Sequence, residues 1–172
     1  MVTSVTDTLA VLAAAEQGNF RVQAPEDRVW LQEGSDLGFR IESILRRGLD
    51  RAPAVIALGA DTPLVTAGDL MQAVAELASG NAVLGPCHDG GFYLLGVTVC
   101  PPGLLADIAW SCGSTCDDAE WRLRSMGLKV TRIRTGFDVD TPNDIARLRR
   151  ELDRLPAGVA PCTRKWFREI SW

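Results

Sequence analysis

The chain has 172 residues, 47% of them hydrophobic, which is the size of one domain with a sizeable core. Charged residues make up 23% and the net charge is −4. These values exclude a disordered chain and argue against nucleic acid as a main partner, since phosphate binding needs a clustered positive surface.

In chain order, "MVTSVTDTLAVLAAAEQGNF" has no basic opening, and Asp7 and Glu16 interrupt its short apolar run. It is neither a signal peptide nor a membrane span, and an amphipathic helix is expected over about Val5 to Gln17. A short strand is expected at "RVWLQ". "EGSDLGFRIESILRRGLDR" turns at Gly34 and continues as a helix, with Leu37, Ile41, Ile44 and Leu45 on one side. "PAVIALG" is a continuous apolar run, as in a strand covered on both faces. "TAGDLMQAVAELASG" predicts a helix capped by Thr66, with Asp69 at capping-box spacing. "NAVLGP" and "GFYLLGVTV" predict strands whose closeness in sequence allows an antiparallel pair. "GSTCDDAEWRLRSMG" predicts a helix and "LKVTRIR" a strand. In "FDVDTPNDIARLRRELDRL", Thr141 caps a helix, Pro142 takes its first position and Asp144 completes the box. Residues 1–155 form the expected domain and 156–172 a C-terminal extension ending in Trp166, Phe167 and Trp172. Alternating strands and helices argue for an α/β sheet with helices on its faces.

Five cysteines, Cys87, Cys100, Cys112, Cys116 and Cys162, include no Cys-x-x-Cys pair, and His88 is the one histidine. That argues against zinc and for reduced thiols in the cytoplasm. Arg147, Arg149, Arg150 and Arg154 read as a solvated helix face.

Five stretches could carry chemistry. Asp61 stands where the "VIAL" strand ends, and Pro63 prevents the strand from continuing. Ligands of open α/β sheets bind beyond strand ends, and a carboxylate there suits Mg²⁺ or Mn²⁺; it would equally suit a turn. "FDVDTP" repeats the arrangement with Asp138 and Asp140, although Asp-Thr-Pro is also good helix-start chemistry. In "GPCHDGGFYLLG", Asp89, Gly90 and Gly91 are either a hairpin turn or a backbone that approaches a ligand. Asp36 and Gly38 belong to a glycine-bearing loop that feeds a helix. Trp110 can stack on a ring or fill the core, and Ser111 follows it before a helix start. No Walker A, Gly-x-Gly-x-x-Gly or Gly-x-Ser-x-Gly motif is present.

Together, "EGSDLGFR", "GADTPLVTAGDL", "VLGPCHDGGFYLLG", "AWS" and "FDVDTPNDIARL" resemble a bacterial glycosyltransferase-like family. Its members occur with radical-SAM and selenodomain proteins, some of them in arsenosugar biosynthesis. That family is similar to the molybdenum-cofactor and phospholactate guanylyltransferases. The resemblance covers roughly Glu33 to Leu152 and implies a GT-A-like fold, a Rossmann-like mixed sheet with helices on both faces. It implies that Asp61, where Ala60 replaces a usual Ser, and Asp140 hold a divalent metal and are catalytic. It implies that Asp36 and Gly38 lie on the donor side, Asp89, Gly90 and Gly91 on the acceptor side, and Trp110 and Ser111 at the substrate.

The implied reaction is displacement at a nucleotide diphosphate, with a nucleotide sugar or nucleoside triphosphate and a small-molecule acceptor as partners. Oligomeric state is left open, a homo-oligomer included. Family members begin with a strand and a glycine- and lysine-bearing loop that this sequence does not show. The chain therefore reads as N-terminally truncated, as completed by a partner, or as a non-catalytic binding subunit.

Overall fold

A computed structural model describes residues 34–169. The helix expected at Val5 to Gln17 and the "RVWLQ" strand lie outside the described residues.

Helix α1 (Leu37–Leu49) starts at Asp36, whose side chain accepts the Phe39 N–H at 3.0 Å. Its buried face differs from the expected one. Gly38, Glu42, Leu45 and Gly48 are buried, whereas Leu37 is 45% exposed. The cause is close approach. A Cβ at Gly48 would lie 2.6 Å from Val55, so that glycine lets the helix sit directly on the next strand.

Strand β1 (Val55–Leu58) is followed by α2 (Ala67–Ala78), β2 (Ala82–Pro86), β3 (Phe92–Val97), α3 (Thr115–Ser125), β4 (Val130–Arg132), α4 (Pro142–Arg154) and α5 (Pro161–Glu169). The strands form one mixed sheet in the order β1-β3-β2-β4. β3 is antiparallel to both β1 and β2, and β2 is parallel to β4. β1, β2 and β4 therefore end at the same edge of the sheet.

Side chains alternate between two layers, as the pleat requires. Leu84, Leu95 and Val97 pack with Leu45 of α1 and with Ala119 and Leu123 of α3. Val83, Tyr93 and Leu94 pack on the other face with Leu70, Ala73 and Leu77 of α2. A third cluster, Phe137, Leu148, Leu152 and Ala160, seats α4. Arg164 of α5 donates to the carbonyls of Leu155 and Val159, at 2.9 and 2.8 Å, closing the α4–α5 turn. Among the described residues no helix is long and apolar enough to cross a membrane.

The capping box at α2 forms as expected and does more than cap. Asp69 accepts from the Thr66 N–H and hydroxyl, each at 2.8 Å, and from Arg134 Nε and Nη2 at 2.9 and 2.6 Å. Burial pushes this carboxyl up, but the bonds from Arg134 and Thr66 outweigh it and hold the pKa below the ordinary value. A depressed folded pKa stabilises above the unfolded value of about 3.9, and that contribution is lost as pH falls below about 4. Asp69→Ala is expected to cost about 3 kcal/mol in urea unfolding at pH 7, because a buried ion pair and a cap go together. The cost should shrink in titrations run below pH ~4.

Candidate active site

The three parallel strands deliver their loops to one place. β1 leads through Gly59 and Ala60 to Asp61, β2 leads into the Cys87–Gly91 hairpin, and β4 leads to the Gly136–Asp140 segment. These loops are bonded to one another. Val139 donates to the Asp61 carbonyl at 3.0 Å. Cys87 pairs with Gly136 in a parallel bridge, and Gly136 and His88 exchange backbone bonds with that hairpin and strand at 2.9 and 3.2 Å.

The hairpin depends on its glycines. Gly90 has φ +92, and a Cβ there would lie 2.1 Å from the Gly113 carbonyl oxygen. Its own carbonyl accepts the Cys116 N–H at 2.7 Å, fastening the turn to the start of α3. Gly91 donates to Asp89 Oδ1 at 2.9 Å, which aims that carboxylate. The turn reading of Asp89-Gly90-Gly91 and the ligand-approach reading thus describe one backbone, since this turn forms a wall of a cleft.

That cleft has a volume of about 520 Å³, and Asp89, Gly91, Trp110, Ser111, Asp138 and Asp140 are among its lining residues. Phe92 and Trp110 stand at its apolar side, with ring centroids 6.0 Å apart and planes tilted by 58°. Ser111 adopts φ 57, a left-handed conformation uncommon for a residue with a side chain. No cationic side chain is among the described lining residues.

The acids act on each other. Burial pushes the Asp138 carboxyl up, and the charges of Asp89, Asp140 and Asp61 push it further. Asp140 is raised by burial, then by Asp61 and Asp89. The buried Cys87 thiol is pushed far above its usual range by burial and by Asp138, Asp89 and Asp61. One oxygen each of Asp89 and Asp138 and the Cys87 sulfur lie within 4.8 Å of one another. Like charges gathered in a half-buried place are costly without a counter-charge. Oxygen donors in such a group fit a hard divalent cation.

The predicted site residues divide into three groups. Asp89, Gly91, Trp110, Ser111 and Asp140 line the cleft, with Gly90 directly behind them. Asp61 is half-buried at the back of the acid group and reaches the cleft through its charge. Asp36 and Gly38 are not lining residues. Asp36 caps α1, and a Cβ on buried Gly38 would meet the Leu105 carbonyl at 2.9 Å and the Trp110 ring at 3.2 Å. Gly38 therefore lets α1 support Trp110.

Three residues escape sequence reading as site members: Asp138, Cys87 and Glu42. Asp138 and Cys87 sit one strand-end away from chosen residues, so their position was a usable signal. Glu42 carries no such signal. It is 2% exposed and accepts the Leu105 N–H at 2.7 Å and the Gly103 N–H at 3.1 Å while pairing with Arg46. It holds the loop that carries Trp110 and Ser111. Glu42→Ala is expected to cost about 3 kcal/mol in thermal unfolding, because two buried N–H donors lose their acceptor. The arginine reading changes in one place, since Arg147 lies 4.5 Å over the Phe137 ring rather than free in solvent.

A mixed α/β sheet whose parallel strands end in an acid-lined cleft defines the class. The fold is that of the nucleotide-diphospho-sugar transferases. The chain matches the crystal structure of a "putative nucleotide-diphospho-sugar transferase from Desulfovibrio desulfuricans G20" with a TM-score of 0.75. Sequence identity is 24%, over 94% of this chain and 79% of that one. This likeness establishes the fold. The chain belongs to the DUF2064 family, described as an uncharacterized protein conserved in bacteria, whose pattern matches residues 2–112. No curated protein matches it.

Proposed function

We propose that this protein is a glycosyltransferase-like enzyme that takes a nucleotide-sugar donor together with Mg²⁺ or Mn²⁺. The observation that carries the reading is the cleft itself. Four mutually repelling carboxylates gather at the strand ends beside two aromatic rings, and no cationic side chain is among the described lining residues. An anionic diphosphate enters such a cleft only with a cation.

Asp61 and Asp140 would hold that cation, joined by Asp138. When bound it neutralises charge developing on the diphosphate leaving group. The chain's own residues supply position. Trp110 and Phe92 offer a stacking wall to a flat ring. Asp89, fixed by the Gly91 N–H, offers its free oxygen to an acceptor hydroxyl. The Gly90–Gly113 contact keeps that wall closed, and Asp36 and Gly38 set the α1 end on the donor side. The fold match and the resemblance to glycosyltransferases found with radical-SAM and selenodomain proteins support this reading. The acid-lined cleft favours it over a non-catalytic subunit, and the absence of a leader-like start favours the cytoplasm.

Nucleotidyl transfer is the nearest rival, and the released product separates the two. Incubation with UDP- or GDP-sugars and Mn²⁺ is expected to release nucleoside diphosphate, read by chromatography. Pyrophosphate release from a nucleoside triphosphate and a phosphorylated acceptor, with no diphosphate from any sugar donor, would replace this reading with the rival.

A further inference from the structure

Cys87 differs from an ordinary core thiol. It is 5% exposed, and among the described residues its sulfur makes no hydrogen bond within 4.0 Å. Cys116, equally buried, sits among the apolar side chains of α1, α3 and the sheet. The Cys87 sulfur instead faces the carboxylates of Asp89 and Asp138. Its place is fixed by backbone on both sides. Cys87 donates to the Gly91 carbonyl at 2.8 Å, accepts from Gly90 at 3.2 Å, and forms the bridge to Gly136. Asp89 has one oxygen held by Gly91 and the other left for a ligand.

We propose that Cys87 joins Asp89 and Asp138 as a sulfur ligand of the divalent cation, so that this centre prefers a borderline cation such as Zn²⁺ or Co²⁺ to Mg²⁺. The donor span fits. Bonds of about 2.3 Å to sulfur and about 2.1 Å to oxygen let one cation bridge donors up to about 4.4 Å apart, and the present donors all lie within 4.8 Å of one another. A few tenths of an ångström of side-chain movement closes the difference. Thiolate is a soft ligand that Mg²⁺ uses poorly and Zn²⁺ and Co²⁺ use well. On binding, the S–H bond breaks, its proton goes to solvent, and the sulfur lone pair forms the bond to the cation. No electron is transferred to or from the protein. The three carboxylate charges that oppose a bare thiolate favour the cation that would replace its proton.

The inference rests on the metal-dependent reading above for its role in catalysis, and its test separates the two. Titration of the native chain with Co²⁺ is expected to produce a near-ultraviolet thiolate-to-cobalt absorption that saturates at one equivalent. The band should persist in Cys100→Ser and vanish in Cys87→Ser. In Cys87→Ser, Zn²⁺ affinity should fall at least about 10-fold while Mn²⁺ affinity changes less than about 3-fold. X-ray absorption of the Co²⁺-loaded native chain should show one sulfur near 2.3 Å, a reading that needs no variant. A shell of oxygen and nitrogen alone, or a charge-transfer band retained by Cys87→Ser, overturns the proposal. Mn²⁺-dependent donor binding without the thiolate band would remove only the sulfur ligand. The band without any donor binding would leave the sulfur ligand standing and remove the transferase reading.

Discussion

Asp61→Ala is expected to lose the thermal stabilisation that Mn²⁺ and a nucleotide sugar give the native chain. Ligand at 100 times its dissociation constant stabilises a one-site protein by about 2.7 kcal/mol. For a domain of this size that raises Tm by about 5–10 °C. Removing a ligand of the cation should weaken binding about 100-fold, leaving about 0.4 kcal/mol and a rise of about 1–2 °C. The physical cause is the position of Asp61 at the end of β1. It stands behind Asp138 and Asp140, and its charge raises both. Without ligand the variant should be no less stable than the native chain, because it removes one charge from a repelling group. Differential scanning fluorimetry with and without Mn²⁺ reads both effects. A variant that keeps the full ligand-induced rise would remove Asp61 from the cation site.

The second large effect is steric. Gly90→Ala should destabilise the fold by about 3 kcal/mol or more, lowering Tm by roughly 6–12 °C. Two costs combine. The residue at 90 has φ +92, and its Cβ would overlap the Gly113 carbonyl oxygen at 2.1 Å. Relief requires the hairpin to part from α3, which breaks the Cys116–Gly90 bond and moves Asp89. Gly80→Ala is the control. It has φ +81 but meets nothing within 4 Å, so only the backbone cost of about 1–2 kcal/mol remains. Equal losses in the two variants would show that the contact with Gly113 carries no weight.

Much of this was legible in the residues. Local chemistry announced the caps, since Thr66 with Asp69 and Thr141 with Asp144 fix their helix starts with no help from the rest of the fold. Alternating apolar residues in "NAVLGP" and "GFYLLGV" announced the antiparallel pair. The strand-end acids Asp61 and Asp140 were visible because the break after each strand is written as Thr-Pro. What escaped depends on contacts far apart in sequence. Glu42 looks like a solvated acid on a helix until Leu105, 63 residues on, is placed against it. Gly48 turns α1 onto Val55 and leaves Leu37 exposed, a preference that hydrophobic spacing cannot express. Cys87 reads as one more reduced thiol because its carboxylate neighbour Asp138 arrives from another strand. Asp36 carries both a cap and a loop signature in sequence, and the structure uses it as the cap.

The central claim is that the acid-lined cleft binds an anionic donor through a divalent cation. Calorimetric titration of the 172-residue chain with UDP- and GDP-sugars, in Mn²⁺ and again in chelator, tests it most directly. The account predicts one binding site for at least one donor in Mn²⁺ and no heat of binding in chelator. Donor binding of equal strength in chelator, or none from a folded chain in Mn²⁺, would contradict it.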